Sequence, residues 1–233
     1  MVTVKNRVEA IREIMTESAS RVGRNVSKIK LLAVTKTRTA EEMLEAAPFV
    51  DGLGENRVQE AASKKQDWPA SVTAEWRMIG HLQSNKARKA VALFNFLDSI
   101  DSEDIARAVE RIAAEENRIV PVLLEVNVSG EVNKTGLAPK DFPALLDRVL
   151  ECRRLRLDGL MTIGPLSSDE ATARGAFAML REMAEDARLR SGLPLPVLSM
   201  GMSDDFESAI LEGSTMIRIG TSLFGPRSIN SKT

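Results

Sequence analysis

Tyrosine is absent from this 233-residue chain, and cysteine and histidine occur once each, as Cys152 and His81. A lone cysteine excludes an intramolecular disulfide and fits a reducing compartment, so a cytoplasmic location is expected. A lone histidine excludes a histidine-rich metal site, and no metal is expected. Aromatic residues make up only 4% of the chain, and no basic stripe is interleaved with them. Lys plus Arg (32) balances Asp plus Glu (33), so nucleic acid is not an expected partner. The longest apolar runs fall far short of a membrane span. The opening segment MVTVKNRVEAIREIM has mixed charges and spaces Val4, Val8, Ile11 and Met15 as one helical face. That pattern reads as an amphipathic helix and lacks the apolar centre of a signal peptide.

What the chain does have is alternation. No low-complexity linker divides it and no close internal repeat is visible. Strand-like runs fall at 30–35, 51–54, 75–79, 95–98, 120–128, 156–163, 196–199 and 214–219. Between them lie amphipathic stretches such as 102–116, with Ile105, Val109 and Ile112 on one face, and 170–189, with Phe177, Leu180, Ala184 and Ala187. Thr39 before Ala-Glu-Glu and Ser102 before Glu-Asp are helix-capping signals. Eight βα units after an N-terminal helix predict a parallel sheet covered by helices. The expected fold is therefore α/β, a single TIM-type (β/α)8 barrel over 1–233, with an open doubly wound sheet as the alternative.

In that barrel the strand ends gather at one mouth, where active sites of the fold lie. The first strand delivers Lys36, the second Glu55, Asn56 and Arg57, the third His81, the fourth Asp98 and Ser99. The remaining strands deliver Asn127, then Met161 and Thr162, then Ser199, then Arg218. Burial disfavours a lysine's charged form, and a neutral amine is a nucleophile for Schiff-base chemistry with a carbonyl or with pyridoxal phosphate (PLP). The bland alternative for Lys36 is a strand-end lysine snorkelling to water.

The last two loops, Ser199-Met-Gly-Met-Ser203 and Gly220-Thr-Ser-Leu-Phe-Gly225, have the glycines and hydroxyls of a phosphate cradle. Plain helix capping competes with that reading. Arg218, inside Met216-Ile-Arg-Ile219, needs a partner if buried. It would be either a carboxylate such as Asp98 or Glu55, or the pyridine nitrogen of PLP. His81 reads as a structural residue or helix cap, Lys134, in the polar loop 129–136, as a solvated loop lysine with a second anion or aldehyde contact as the alternative, and Gly159 and Gly164 as sites of close packing.

Five segments, in order, resemble the PLP homeostasis proteins, which are similar to the N-terminal domain of alanine racemase. They are Ala33-Val-Thr-Lys36-Thr, Gly54-Glu-Asn-Arg-Val-Gln-Glu60, Trp76 to Lys86, Leu198 to Asp205 and Gly213 to Thr221. The resemblance runs nearly end to end and implies a barrel that binds PLP. By resemblance Lys36 carries PLP as a Schiff base, Asn56 lies near the ring, and Arg218 meets the pyridine nitrogen. Ser199, Gly220 and Thr221 would hold the phosphate. Arg77 departs from many relatives, which have histidine there.

The resemblance implies intracellular PLP buffering and delivery without catalysis, by a monomer or weak dimer with apo PLP-dependent enzymes as recipients. The alternative is a PLP-dependent amino-acid racemase. That chemistry needs an acid/base on each face of the substrate, typically a lysine and a tyrosine. The chain has no tyrosine, and it ends soon after the eighth strand with no second domain in view. Cys152 falls before the sixth strand, away from the mouth. A third reading is a barrel enzyme that uses Lys36 without PLP.

Overall fold

In the computed structural model, which describes residues 3–131, 133–166 and 169–225, eight parallel strands close in sequence order into a barrel. The expected domain's last positions, 226–233, lie outside the described residues. Helix α1 (Val4–Arg21) is followed by β1 (Lys30–Val34), α2 (Ala40–Ala46), β2 (Gly52–Glu55), α3 (Val58–Gln66) and β3 (Trp76–Met78). Then come α4 (Ala87–Leu93), β4 (Phe96–Ile100), α5 (Glu103–Glu115), β5 (Val120–Glu125), α6 (Phe142–Leu150) and β6 (Leu155–Met161). The chain continues through α7 (Glu170–Ser191), β7 (Val197–Ser199), α8 (Phe206–Leu211), β8 (Met216–Ile219) and α9 (Thr221–Phe224). Every expected strand is present. Closure comes from β8 pairing with β1, with Lys30 opposite Met216 and Ala33 opposite Ile219.

Strand alternation sorts the side chains into two layers. Leu31, Ala33, Leu53, Trp76, Met78, Leu97, Ile217 and Ile219 face the helices and join the main apolar core. The intervening residues point into the barrel, where Leu32, Ile79 and Met216 form a second, smaller cluster with Val34 and Val197 packed on it. Gly54 makes that filling possible. A Cβ there would come within 2.8 Å of Ile79 Cδ1 and 3.0 Å of Leu32 Cδ2. Gly159 lets β6 lie close against β7, because its φ is +155° and a Cβ would meet Val197 O at 1.9 Å. The β5–β6 register also shifts between Val122 and Leu123.

The barrel interior is not all apolar. Arg77, on the inward side of β3, is buried and gives Asp98 of β4 two hydrogen bonds, Nε to Oδ2 at 2.6 Å and Nη2 to Oδ1 at 2.8 Å. Its Nη1 donates to Glu75 at 2.7 Å, and its guanidinium lies 3.8 Å from the Phe96 ring centre. Burial works against this charge, but Asp98 and Glu75 outweigh it and hold the Arg77 guanidinium above its ordinary value.

Of the two expected caps, Thr39 makes a full capping box with Glu42, whereas Ser102 precedes α5 without a side-chain cap bond. Thr39→Ala is expected to cost about 1 kcal/mol, read as a lowered urea midpoint with unchanged slope. Among the described residues no helix is long and apolar enough to cross a membrane.

Candidate active site at the barrel mouth

Lys36 follows β1 by two residues. Leu32 and Val34 point inward on that strand, so the alternation carries Lys36 to the inner side of the rim and turns Thr35 outward, toward α3. Immediately after Lys36, Thr37 has φ +63°, a left-handed conformation that a β-branched residue rarely adopts. The Thr37 N–H donates to Glu60 Oε1 at 2.5 Å, which fixes the turn. A cavity of about 600 Å³ opens beside Lys36, and Asn56, Arg57, Glu60, His81 and Lys86 are among its other lining residues. Gly80 lets β3 approach the rim of β2, since a Cβ there would be 2.4 Å from Asn56 O. The Asn56 Oδ1 is buried and has no hydrogen-bond partner among the described residues.

Arg218 occupies the inward side of β8 and is 3% exposed. Neither Asp98 nor Glu55 pairs with it directly, because Asp98 is taken by Arg77 and Glu55 by Lys64. Its Nη1 donates to Ser199 O at 2.7 Å and Ser199 Oγ at 2.9 Å, and its Nη2 to Thr162 O at 2.7 Å. Burial pulls its guanidinium below the ordinary value, opposed by the charges of Glu125, Asp205 and Asp98. A buried cation held mainly by neutral acceptors is a strong donor aimed by its neighbours.

Ser199 is fully buried at the end of β7, with its hydroxyl accepting from Arg218. Gly220 and Thr221 open α9, where the N–H groups of Leu223 and Phe224 turn back to Gly220 O. The Thr221 and Ser222 side chains at that turn are exposed, and the Ser222 N–H reaches Ser203 Oγ at 3.4 Å. The β7–α8 and β8–α9 loops therefore meet, one after the strand that carries Arg218 and the other after the strand that carries its acceptor Ser199.

One sequence reading is corrected here and a second is narrowed. Lys134 is not solvated: its side chain is 10% exposed and donates to Glu131 Oε1 at 2.7 Å and Gly164 O at 2.6 Å. The polar loop folds onto the barrel, and a free backbone carbonyl captures the ammonium. Of the two readings of His81, structural residue or helix cap, the cap is not taken. Its half-exposed ring instead sets Nδ1 3.0 Å from Asp101 Oδ2. Glu125, at the inner end of β5, was not singled out from sequence. Its Oε1 accepts from Thr135 at 2.6 Å, its Oε2 has no partner among the described residues, and burial pushes its carboxyl up.

Lys64 was missed as well. It reaches from α3 to Thr35 O, Glu55 and Glu60, and its only sequence signal is the Glu60–Lys64 spacing of one helical turn. Cys152 lies between α6 and β6, at the end of the barrel opposite the mouth. Burial pushes its thiol up to about 11, so it remains protonated at neutral pH.

The family described as alanine racemase, N-terminal domain, matches residues 8–228. The pyridoxal phosphate homeostasis protein of Pseudomonas aeruginosa is 41% identical over 231 residues, covering 97% of each chain. That of Escherichia coli is 38% identical over 234 residues, covering 98% of this chain and 99% of its own. Among solved structures, PipY of Synechococcus elongatus with PLP bound superposes with a TM-score of 0.80 at 37% identity, over 91% of this chain and all of that one. Alanine racemase of Corynebacterium glutamicum shares the fold, with a TM-score of 0.73 at 17% identity, over 98% of this chain and 63% of that one.

Proposed function

This chain belongs to the alanine racemase N-terminal domain family, among the pyridoxal phosphate homeostasis proteins, and from that premise we propose that it holds PLP as a Schiff base on Lys36 and buffers and delivers it. The observation that carries the reading is the position of Lys36, on the inner rim of the mouth beside an open cavity. Asn56 lines that cavity with Lys36, and Arg218, Gly220 and Thr221 stand on and after β8, the strand paired with β1. Arg218 is a buried, oriented donor for a ring nitrogen, and the exposed Thr221 and Ser222 offer hydroxyls to a phosphate. The buried Asn56 Oδ1 lacks a partner that a donor on the ligand would supply.

When bound, PLP supplies an electrophilic carbonyl carbon and a ring that can withdraw electrons. The protein's own residues set how far that chemistry goes. A guanidinium donating to the ring nitrogen disfavours a second positive charge there, which weakens the ring as an electron sink and suits storage over turnover. Gly220 and Thr221 take the phosphate in this reading, and Ser199 contributes by anchoring Arg218. The open cavity beside Lys36 leaves the attached group accessible to an incoming amine.

The carrier reading is tested by mixing loaded protein with an apo PLP-dependent enzyme or with a chemical trap for free PLP. Transfer to the enzyme is expected to outpace release to the trap; equal rates reduce the protein to a passive store. One observation favours the racemase alternative: His81, oriented by Asp101, lines the same cavity as Lys36. Incorporation of solvent deuterium at Cα of alanine by the loaded protein would support it.

A further inference from the structure

We propose that Lys64 is a positioning residue for Lys36, gripping the residues on either side of it so that its amine leaves a fixed backbone; this rests on Lys36 as the residue that receives PLP. Lys64 belongs to the last turn of α3, yet its side chain is only 9% exposed. Its Nζ donates to Thr35 O, Glu55 Oε1 and Glu60 Oε1, each at 2.7 Å. An ammonium has three hydrogens, and all three are spent. Lys64 therefore offers no lone pair to compete for an aldehyde, although it lies at the same strand end as Lys36.

The grip reaches both neighbours of Lys36. On one side, Thr35 gives its carbonyl to Lys64, its hydroxyl to Glu55 Oε1 at 2.6 Å and its N–H to Gly54 O at 2.9 Å. On the other side, the Glu60 oxygen that accepts from Lys64 also accepts from the Thr37 N–H. Thr37 has φ +63°. A β-branched residue there is strained and persists only where its surroundings over-determine it.

Stability alone does not account for this cluster. A buried ionic group is commonly matched or bettered by an apolar side chain of similar volume. Here Glu55 Oε2 is also left buried without a partner among the described residues, and burial pushes the Glu55 carboxyl up even with Lys64 and Thr35 bonded to it. A methionine would pack α3 against the sheet equally well. What it could not do is hold Thr35 O and Glu60 at once, and those contacts meet on the two sides of a single residue.

The test compares wild type, Lys64→Met, Lys64→Arg and Glu60→Ala, all confirmed folded by circular dichroism. Two quantities are measured: hydrogen exchange at the Thr37 amide without cofactor, and the rate of PLP capture at Lys36 by borohydride trapping and peptide mapping. Lys64→Met is expected to speed exchange at least about tenfold and slow capture about tenfold to a hundredfold, the scale of a 1 Å misplacement. Lys64→Arg should recover part of both. If Lys64→Met does not fold, Glu60→Ala, which removes only the partly exposed end of the grip, is expected to give the same two changes. Wild-type exchange and capture in a folded variant overturn the proposal. A wild-type adduct that maps away from Lys36 removes the parent assignment, and the proposal with it; an adduct at Lys36 with equal rates in all variants removes the positioning role alone.

Discussion

Lys36→Ala is expected to yield no borohydride-trapped PLP, while wild-type protein yields a single adduct on the peptide that contains Lys36. The expected effect is a large loss because, among the described residues, the neighbouring amines are engaged elsewhere or set apart. Lys64 lies at the same strand end, but its three hydrogens are committed to Thr35, Glu55 and Glu60. Lys134 is held by Glu131 and Gly164 O. Lys86 lines the cavity, but from the turn that leads into α4. Non-covalent binding should survive in part, since Arg218, Gly220 and Thr221 are untouched. A weak, rapidly exchanging complex without the Schiff-base absorption band is therefore the expected phenotype. An undiminished adduct in the variant would sink the assignment of Lys36.

Arg77→Ala is expected to destabilise the fold by about 3–5 kcal/mol, the usual consequence of stranding one partner of a buried ion pair. It leaves the Asp98 carboxylate inside the barrel with its two strongest contacts gone and opens a void against Phe96. Asp98→Ala should cost a similar amount by stranding the guanidinium. The two losses should not add, because both variants break the same contact. Arg77→Met combined with Asp98→Leu removes both charges and is expected to recover most of the loss. Chemical denaturation of these variants and of the Ala/Ala double variant measures this directly. Additive losses in the Ala/Ala double variant would show that the pair contributes nothing as a pair. Since Arg77 touches Asp98, Glu75 and Phe96 and lines no part of the cavity beside Lys36, PLP capture per folded molecule should be unchanged.

The barrel was legible because its signal is carried by many residues at once. Eight apolar runs alternate with amphipathic helices, and period-2 alternation on β1, β3 and β8 already separates Leu32 and Arg218 from Leu31 and Ile217. Lys36 stood out because its strand is apolar and its partners in the mouth come from other strands. The residues that sequence did not reveal share a different character. Arg77 and Asp98 lie 21 positions apart and meet only through the β3–β4 register. Glu60 and Lys64 look like an ordinary exposed pair one helical turn apart, and only the rotation of α3 against the sheet turns the lysine inward. Lys134 looked solvated because its loop is polar, but a carbonyl of the next loop, Gly164 O, was waiting for a donor. Pattern reports which face a side chain takes; it does not report who stands opposite.

The β1–β8 seam also carries a message about synthesis. Lys36 lies near the start of the chain and Arg218 near its end, and helix α1 ties the two together. Its Arg7 donates to Leu223 O, and Arg24, just beyond the helix, donates to Ile210 O and Ser214 O. On a ribosome the amine therefore emerges long before the strand that completes its surroundings. Until residues of β8 are released, β1 has an unpaired edge and the mouth lacks Arg218, Gly220 and Thr221. Ring closure is the most non-local step available to this fold, and loop-closure entropy makes such steps slow. If Lys36 and the residues after β8 hold PLP as proposed above, a nascent or C-terminally truncated chain should present the lysine without its phosphate-holding partners, and loading should wait until the first and last strands have met.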